Sequence, residues 1–285
     1  MTVAYNNTSL NSELYAPLVA AAQYAAYEQS IARQITTVFD MPQNAGKVVQ
    51  VPVWGAISAG TPEEGNIASF ADTNTNSANI TLSEKVVAHR ITDMLRDSAY
   101  NDVLAQLGDQ AGRAIAEAMD AEAFSKFVDF SSDIGSNTLE VTVEDIFKAA
   151  ATLRARKLQG PFVAVLHPGV AYNLKKQLTA TTSFQNATDV GNSVMSSFYI
   201  GTVAGVAIYE SALVPAGVGT GGSDAAVGAV FAPQAIGHSM RGSIRLETQR
   251  QAAYRATDLV LTAVSGASVI QPTFGVALSG QKLID

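Results

Sequence analysis

The chain contains no cysteine. Neither a disulfide framework nor a thiolate metal site can hold its fold, and such a composition suits a cytoplasm. Histidine is almost as scarce: His89, His167 and His238 stand far apart, with nothing that resembles metal-ligand spacing. Charge is low as well, since 15% of the 285 residues are charged against 47% apolar. That balance excludes disorder, yet it leaves fewer surface charges than a freely soluble monomer usually carries. Much of the surface is therefore expected to face other protein. The net charge of -7 excludes a protein whose main task is gripping nucleic acid, because phosphate neutralisation needs clustered Lys and Arg. Weak contact with DNA along one face stays open. The start, MTVAYNNTSLNSELYAP, has neither a basic segment nor a continuous apolar core, so it is not a signal peptide. The longest uncharged run, 259–281, is long enough for a bilayer but carries Ser, Thr, Gln, several Gly and Pro272. It reads as strands, and no membrane contact is expected.

What is present falls into a series of elements. Residues 13–36 are Ala-rich, with Leu14, Leu18, Ala21, Ala25 and Ala32 on one narrow helical stripe, as in an arm that lies on another surface. From Gly46 to Ile91 the period changes to two. KVVQVPVW and NITLSEKVVAHRI flank a turn-laden stretch, which reads as a long two-stranded excursion with a polar tip. Such a hairpin is marginal alone and must lean on this subunit or the next. Residues 98–127 form the clearest helix, with a seam at Leu104, Leu107, Ala111, Ile115 and Ala118. Gly108 and Gly112 lie inside it, each costing about 1 kcal/mol relative to Ala, and mark a soft spot. Thr142 and Asp145 make a capping box for a helix that Gly160-Pro161 stops; FVAVL then reads as a buried strand, and a second helix runs to about Leu178. YIGTVAGVAIYES reads as strand, turn and strand, and SIRLETQRQAAYRATDLVLTAVSGASVIQPTFGVALS as extended antiparallel strands.

Isolated enzyme signals fail on context. GVGTGG, residues 217–222, matches the spacing of a dinucleotide-binding loop, which works only when a helix follows to hold the pyrophosphate. SDAAVGAVFAP follows instead, too short for a helix before Pro233, so the loop joins two strands. His167 reads as a turn histidine. Glu63 and Glu64 suggest paired carboxylates, yet a solvated hairpin tip lacks the burial that would split their pKa values. No catalytic, cofactor or metal residues are nominated.

The order of these elements resembles the major capsid protein of tailed bacteriophages, an α+β fold of the Hong Kong ninety-seven type that encapsulin shells share. The resemblance spans nearly the whole chain. It implies an N-terminal arm at 1–45, an extended β-hairpin loop at 46–91, a spine helix and peripheral domain at 92–139, an axial domain at 140–240, and a return to the peripheral domain with C-terminal strands at 241–285. It also implies a non-enzymatic shell protein of the virion, assembled in the host cell cytoplasm from hexamers and pentamers of itself. Its expected partners are portal, scaffolding and decoration proteins and packaged double-stranded DNA. Trp54, Glu63 and Glu64 would make inter-subunit contacts, Gly108 and Gly112 would ease a bend of the spine helix, and Arg154, Arg156 and Lys157 are the candidates for weak DNA contact. For these three the plainer reading is complementation of a helix end, and for Arg241, Arg245, Arg250 and Arg255 it is pairing with Glu247 and Asp258 along strand faces. The namesake joins a loop Lys to a neighbour's Asn in a covalent chain mail. Here no Lys lies between Lys47 and Lys85 and no Asn follows Asn192, so no cross-link is expected. Met1 leads almost directly into the arm, which points to a separate scaffolding protein. The alternatives are an encapsulin-type compartment and a dinucleotide-binding enzyme.

Overall fold

The structure of the protein, a computed structural model, describes residues 17–26, 29–42, 46–55, 75–98, 103–136, 138–180, 202–217 and 225–282. The arm comprises α1 (17–26), α2 (Ile31–Ile35) and β1 (Thr37–Met41). A hairpin follows, β2 (Val48–Trp54) and β3 (Thr75–Thr81), then β4 (Ser83–Thr92), α3 (Asp93–Ser98) and the long α4 (Val103–Phe124). After a short 3-10 turn come β5 (Asp133–Gly135), α5 (Val143–Ala155), β6 (Phe162–Leu166), α6 (Pro168–Ala180), β7 (Thr202–Val203) and β8 (Val206–Glu210). The chain ends in β9 (Ala225–Phe231), β10 (Ile236–Arg241), β11 (Arg245–Gln251), β12 (Ala256–Val269) and β13 (Gly275–Gln281).

Two sheets organise the molecule. In the first, β12 is the central strand: β10 and β11 run along one edge of it, β4 takes the other, and β1 adds to β10 in parallel. Alternation along β12 buries Leu259, Leu261 and Ala263 with Val87, Leu246 and the α4 residues Ala111, Ile115 and Met119. The other face of these strands stays open, as antiparallel sheets allow. The second sheet has the order β5-β13-β9-β6-β8-β7. Its central strands read as continuous apolar runs, FVAVL and AAVGAVF, because both faces are covered. Ile146, Ala150 and Leu153 of α5 and Val170 and Leu174 of α6 cover one side. Phe124, Phe127 and Phe130, together with Ala32 and Ile35 of the arm, cover the other, with the Phe127 and Phe231 rings 5.6 Å apart. A fully buried Phe contributes roughly 3 kcal/mol.

Several expectations hold. The Thr142 and Asp145 capping box is present, Ile146, Ala150 and Leu153 are the buried face of α5, and FVAVL is a fully buried strand. Others are corrected. NITLSEKVVAHRI is two strands: only 75–81 belongs to the hairpin, while β4 pairs with β12 along its whole length. The buried stripe of α1 runs through Leu18, Ala22, Ala25 and Ala26, and Ala21 lies only half-buried beside it. The split between 140–240 and 241–285 is interleaved, because β10 joins the first sheet and β13 returns to the second. Alternation reveals strands but carries no information about which sheet a strand joins.

Candidate assembly surfaces

The hairpin is anchored at its root. Ile80 is fully buried, and Leu82 N–H donates to the Lys47 carbonyl at 2.8 Å. Two glycines of the first sheet admit it: a Cβ on Gly266 would lie 2.2 Å from the Thr81 carbonyl oxygen, and one on Gly237 2.8 Å from Ile80 Cδ1. Beyond the root the cover ends. β2 alternates between exposed and half-buried residues and pairs only with β3, and Pro52 suits its bare edge. Trp54, at the far end, is 67% exposed. It borders a cleft of about 710 Å³ with Val53, Asn76, Arg156 and Phe274. Glu63 and Glu64 lie outside the described residues.

The arm is latched to α4. A Cβ on Gly108 would stand 2.6 Å from the Leu18 carbonyl oxygen, and one on Gly112 2.4 Å from that of Ala22. α4 continues through both glycines, so in this conformation they serve the close approach of α1. Asp120 fixes the next turn. It is 3% exposed, and it accepts from Ser30 Oγ at 2.6 Å, Ile31 N–H at 2.9 Å and Ala32 N–H at 3.1 Å. Burial raises its pKa, while these three donors pull the other way. Sequence reasoning missed Asp120. The available signal was an acid four residues beyond Ala116, on the apolar side of an otherwise regular helix.

The basic candidates are engaged with their own chain. Arg154 Nη2 donates to the Ala204 carbonyl at 2.9 Å, and Arg156 reaches the Thr273 carbonyl and Ser132 Oγ. Lys157 is exposed, with φ at 64°. Asp258, expected to pair with one of Arg241, Arg245, Arg250 and Arg255, pairs with Arg90 instead, which lowers the Asp258 pKa, and Arg250 pairs with Asp93. His167 Nδ1 accepts from Gly169 N–H at 3.1 Å at the start of α6, as befits a turn histidine, and burial with nearby Lys282 lowers its pKa. His238, also missed, is 1% exposed in β10 with no hydrogen-bond partner for either ring nitrogen among the described residues. Desolvation, aided by Arg33, lowers its pKa to about 4.

Of GVGTGG, only Gly217 is described, with φ at 76° and its N–H donating to the Ala225 carbonyl at 2.7 Å. The next described element is the buried strand β9, where a dinucleotide would need a helix. Among the described residues no group of three or more acidic or histidine side chains could hold a metal ion, and no helix is long and apolar enough to cross a membrane.

A latched arm, a rooted but uncovered hairpin, a long spine helix and two interleaved sheets define a protein of the Hong Kong ninety-seven capsid class, built to complete its burial on copies of itself. Comparison with solved structures supports the fold. The head structure of Helicobacter pylori bacteriophage KHP40 matches with a TM-score of 0.69 at 12% identity, covering 89% of this chain and 91% of that one. The capsid of cyanophage P-SCSP1u matches at 0.64 and 19% identity, over 86% of each chain. A virus-like particle from Pyrococcus furiosus matches at 0.58 and 14% identity, over 93% of this chain and 99% of that one. No curated protein matches the sequence. The model of the phage capsid protein family matches residues 75–278, and the chain belongs to that family. It is a structural major capsid protein that forms the shell.

Proposed function

We propose that hexamers and pentamers of this chain close an icosahedral shell around a double-stranded DNA phage genome, with no covalent cross-links between subunits. The observation that carries this reading is the hairpin, whose root is buried in its own subunit while its outer half is only partly covered and ends at Trp54, 67% exposed. A two-stranded ribbon is marginal in water, so its outer half gains most by lying over a neighbour. Trp54 then contributes apolar contact, and Glu63 and Glu64 polar contact. Exposed Leu139, Phe147 and Tyr172 on the second unit and Met94 on α3 add further apolar area for such interfaces.

Contact with DNA is weak and without sequence preference. Net charge supports this, as does the engagement of Arg154 and Arg156 within the chain, which leaves Lys157 the freest of the three. Portal, scaffolding and decoration proteins are its further partners, assembly takes place in the host cytoplasm, and Gly108 and Gly112 give α4 a place to bend when α1 is displaced. The second reading is an encapsulin-type compartment, favoured by the likeness to the Pyrococcus furiosus particle.

Electron microscopy with light scattering on purified particles tests the proposal. Closed shells containing DNA are expected; empty or protein-filled shells favour the compartment, and a discrete monomer or dimer under all assembly conditions overturns both. Boiled particles are expected to run as monomer on a denaturing gel, and a ladder would refute the absence of cross-links.

A further inference from the structure

Beside the hairpin root, the open face of the first sheet carries a recess of about 340 Å³ lined by Lys47, Arg241, Arg245, Ser83, Ser243 and Thr262, with Glu84 and Val264 on its wall. Cross-strand register explains why they meet. Arg245 stands opposite Thr262 and Thr262 opposite Val86, while Glu84 stands opposite Val264 in the next row of the same face. Arg241 Nη1 donates to the Gly46 carbonyl at 2.9 Å, which ties its guanidinium to the hairpin root. Lys47 and Arg245 make no ion pair or side-chain hydrogen bond among the described residues. Three cationic side chains and the hydroxyl residues Ser243 and Thr262 thus line a pocket that holds one carboxylate, in a chain whose overall charge is -7.

We propose that this recess receives the Glu63-Glu64 pair from the hairpin tip of a second copy. Charge complementarity favours this occupant. Between Trp54 and Thr75 the chain carries Glu63, Glu64 and Asp72 and no Lys or Arg, and no other adjacent Glu pair occurs in the sequence. Two neighbouring carboxylates match the excess of cations, and guanidinium and ammonium donors recognise them with charge-assisted hydrogen bonds. The outer ends of β2 and β3 lie about 20 Å along the strands from the root beside which the recess sits, so the recess stands at the opposite end of the ribbon from the ends that carry the tip. The inference rests on the reading that hairpins lie over neighbouring copies, and it names where they land.

The test uses assembled particles of the full chain. A carbodiimide joins an ammonium to a carboxylate in contact with it, with loss of water, so treated particles should yield Lys47–Glu63 or Lys47–Glu64 peptides in covalent multimers, and Lys47→Arg should remove them. Glu63→Arg with Glu64→Arg should reduce particle yield roughly tenfold or more, as like charges meet, and adding Arg241→Glu with Arg245→Glu should recover most of it. Tip carboxylates joined to other lysines, joined to Lys47 only within one chain, or not rescued by the charge exchange overturn the recess as their site. So does a Lys47 shielded from acetylation only in DNA-filled particles, since the pocket would then hold DNA phosphate. Removal of residues 56–74 separates the two readings. If shells still form, the overlap itself fails; if assembly is lost while the exchange does not rescue, only the recess fails.

Discussion

The two sheets of this protein differ in how much of themselves they cover. The second sheet is sealed on both faces, by α5 and α6 on one side and by the phenylalanine cluster at the end of α4 on the other. The first sheet is covered by α4 on one face and, on the other, by the hairpin root only over β10 and the end of β12, while the outer hairpin alternates exposed with half-buried residues. A monomer needing nothing further would not carry both. One half of the chain stores stability, and the other half presents surface whose burial has to come from elsewhere. Substitutions in the sealed region should therefore act through folding, and those in the open region through assembly alone.

Phe231→Ala attacks the sealed sheet where its ring meets Phe127 and Phe130. It is expected to cost about 3–5 kcal/mol, read by denaturant unfolding of unassembled protein, with assembly lost as a consequence. Asp120→Ala strikes the latch between arm and spine. Loss of its three hydrogen bonds should cost about 3 kcal/mol, and limited proteolysis should show the arm cut first. A denaturation midpoint equal to that of the wild type would dismiss the latch.

His238 sets a pH dependence. Its folded-state pKa, lowered to about 4 from 6.5, means that the unfolded chain binds the proton more readily between those values. Stability should thus fall as pH drops below 6.5, by up to about 3 kcal/mol at pH 4. Asp120, raised above its ordinary value, works with the opposite sign and loses stability as pH rises through the carboxylate range. His238→Leu isolates the histidine: urea midpoints measured across this window should lose the histidine's share of the slope. An unchanged slope would mean that the ring is not buried as described.

The smallest effects on the fold belong to the open face. Arg90→Ala breaks an exposed pair with Asp258 and should leave the melting temperature within scatter. Trp54→Ala should leave monomer stability unchanged and still lower the yield of particles, as sedimentation would show. A loss of monomer stability there would erase the distinction between the two regions.

Periodicity made α4, α5 and the long C-terminal strands legible, because each buries a face whose pattern repeats along the chain, and β6 was legible as an unbroken apolar run. The capping box at Thr142 was legible for the same local reason. The parts that were not legible depend on distant partners. Nothing near Gly108 and Gly112 reveals Leu18 and Ala22 behind them, so a close approach read as a soft spot. Leu82 ends the hairpin, but only β12 makes Ser83 onward a separate strand. Glycines 237 and 266, which admit the hairpin root, are ordinary residues until the root is placed on them. That GVGTGG leads into a strand was readable in a different way, from the run SDAAVGAVFAP, too short for a helix before Pro233.

The first sheet also imposes an order in time. β1 pairs with β10 about two hundred residues later, and β4 waits for β12. A chain emerging from the ribosome cannot close this sheet, seat Ile80 or fix its hairpin until the strand ending at Val269 has been made. Such non-local pairing is slow and leaves strand edges bare meanwhile. The hairpin root thus takes shape late, and a chain ended before Val269 has no finished root to offer a growing shell.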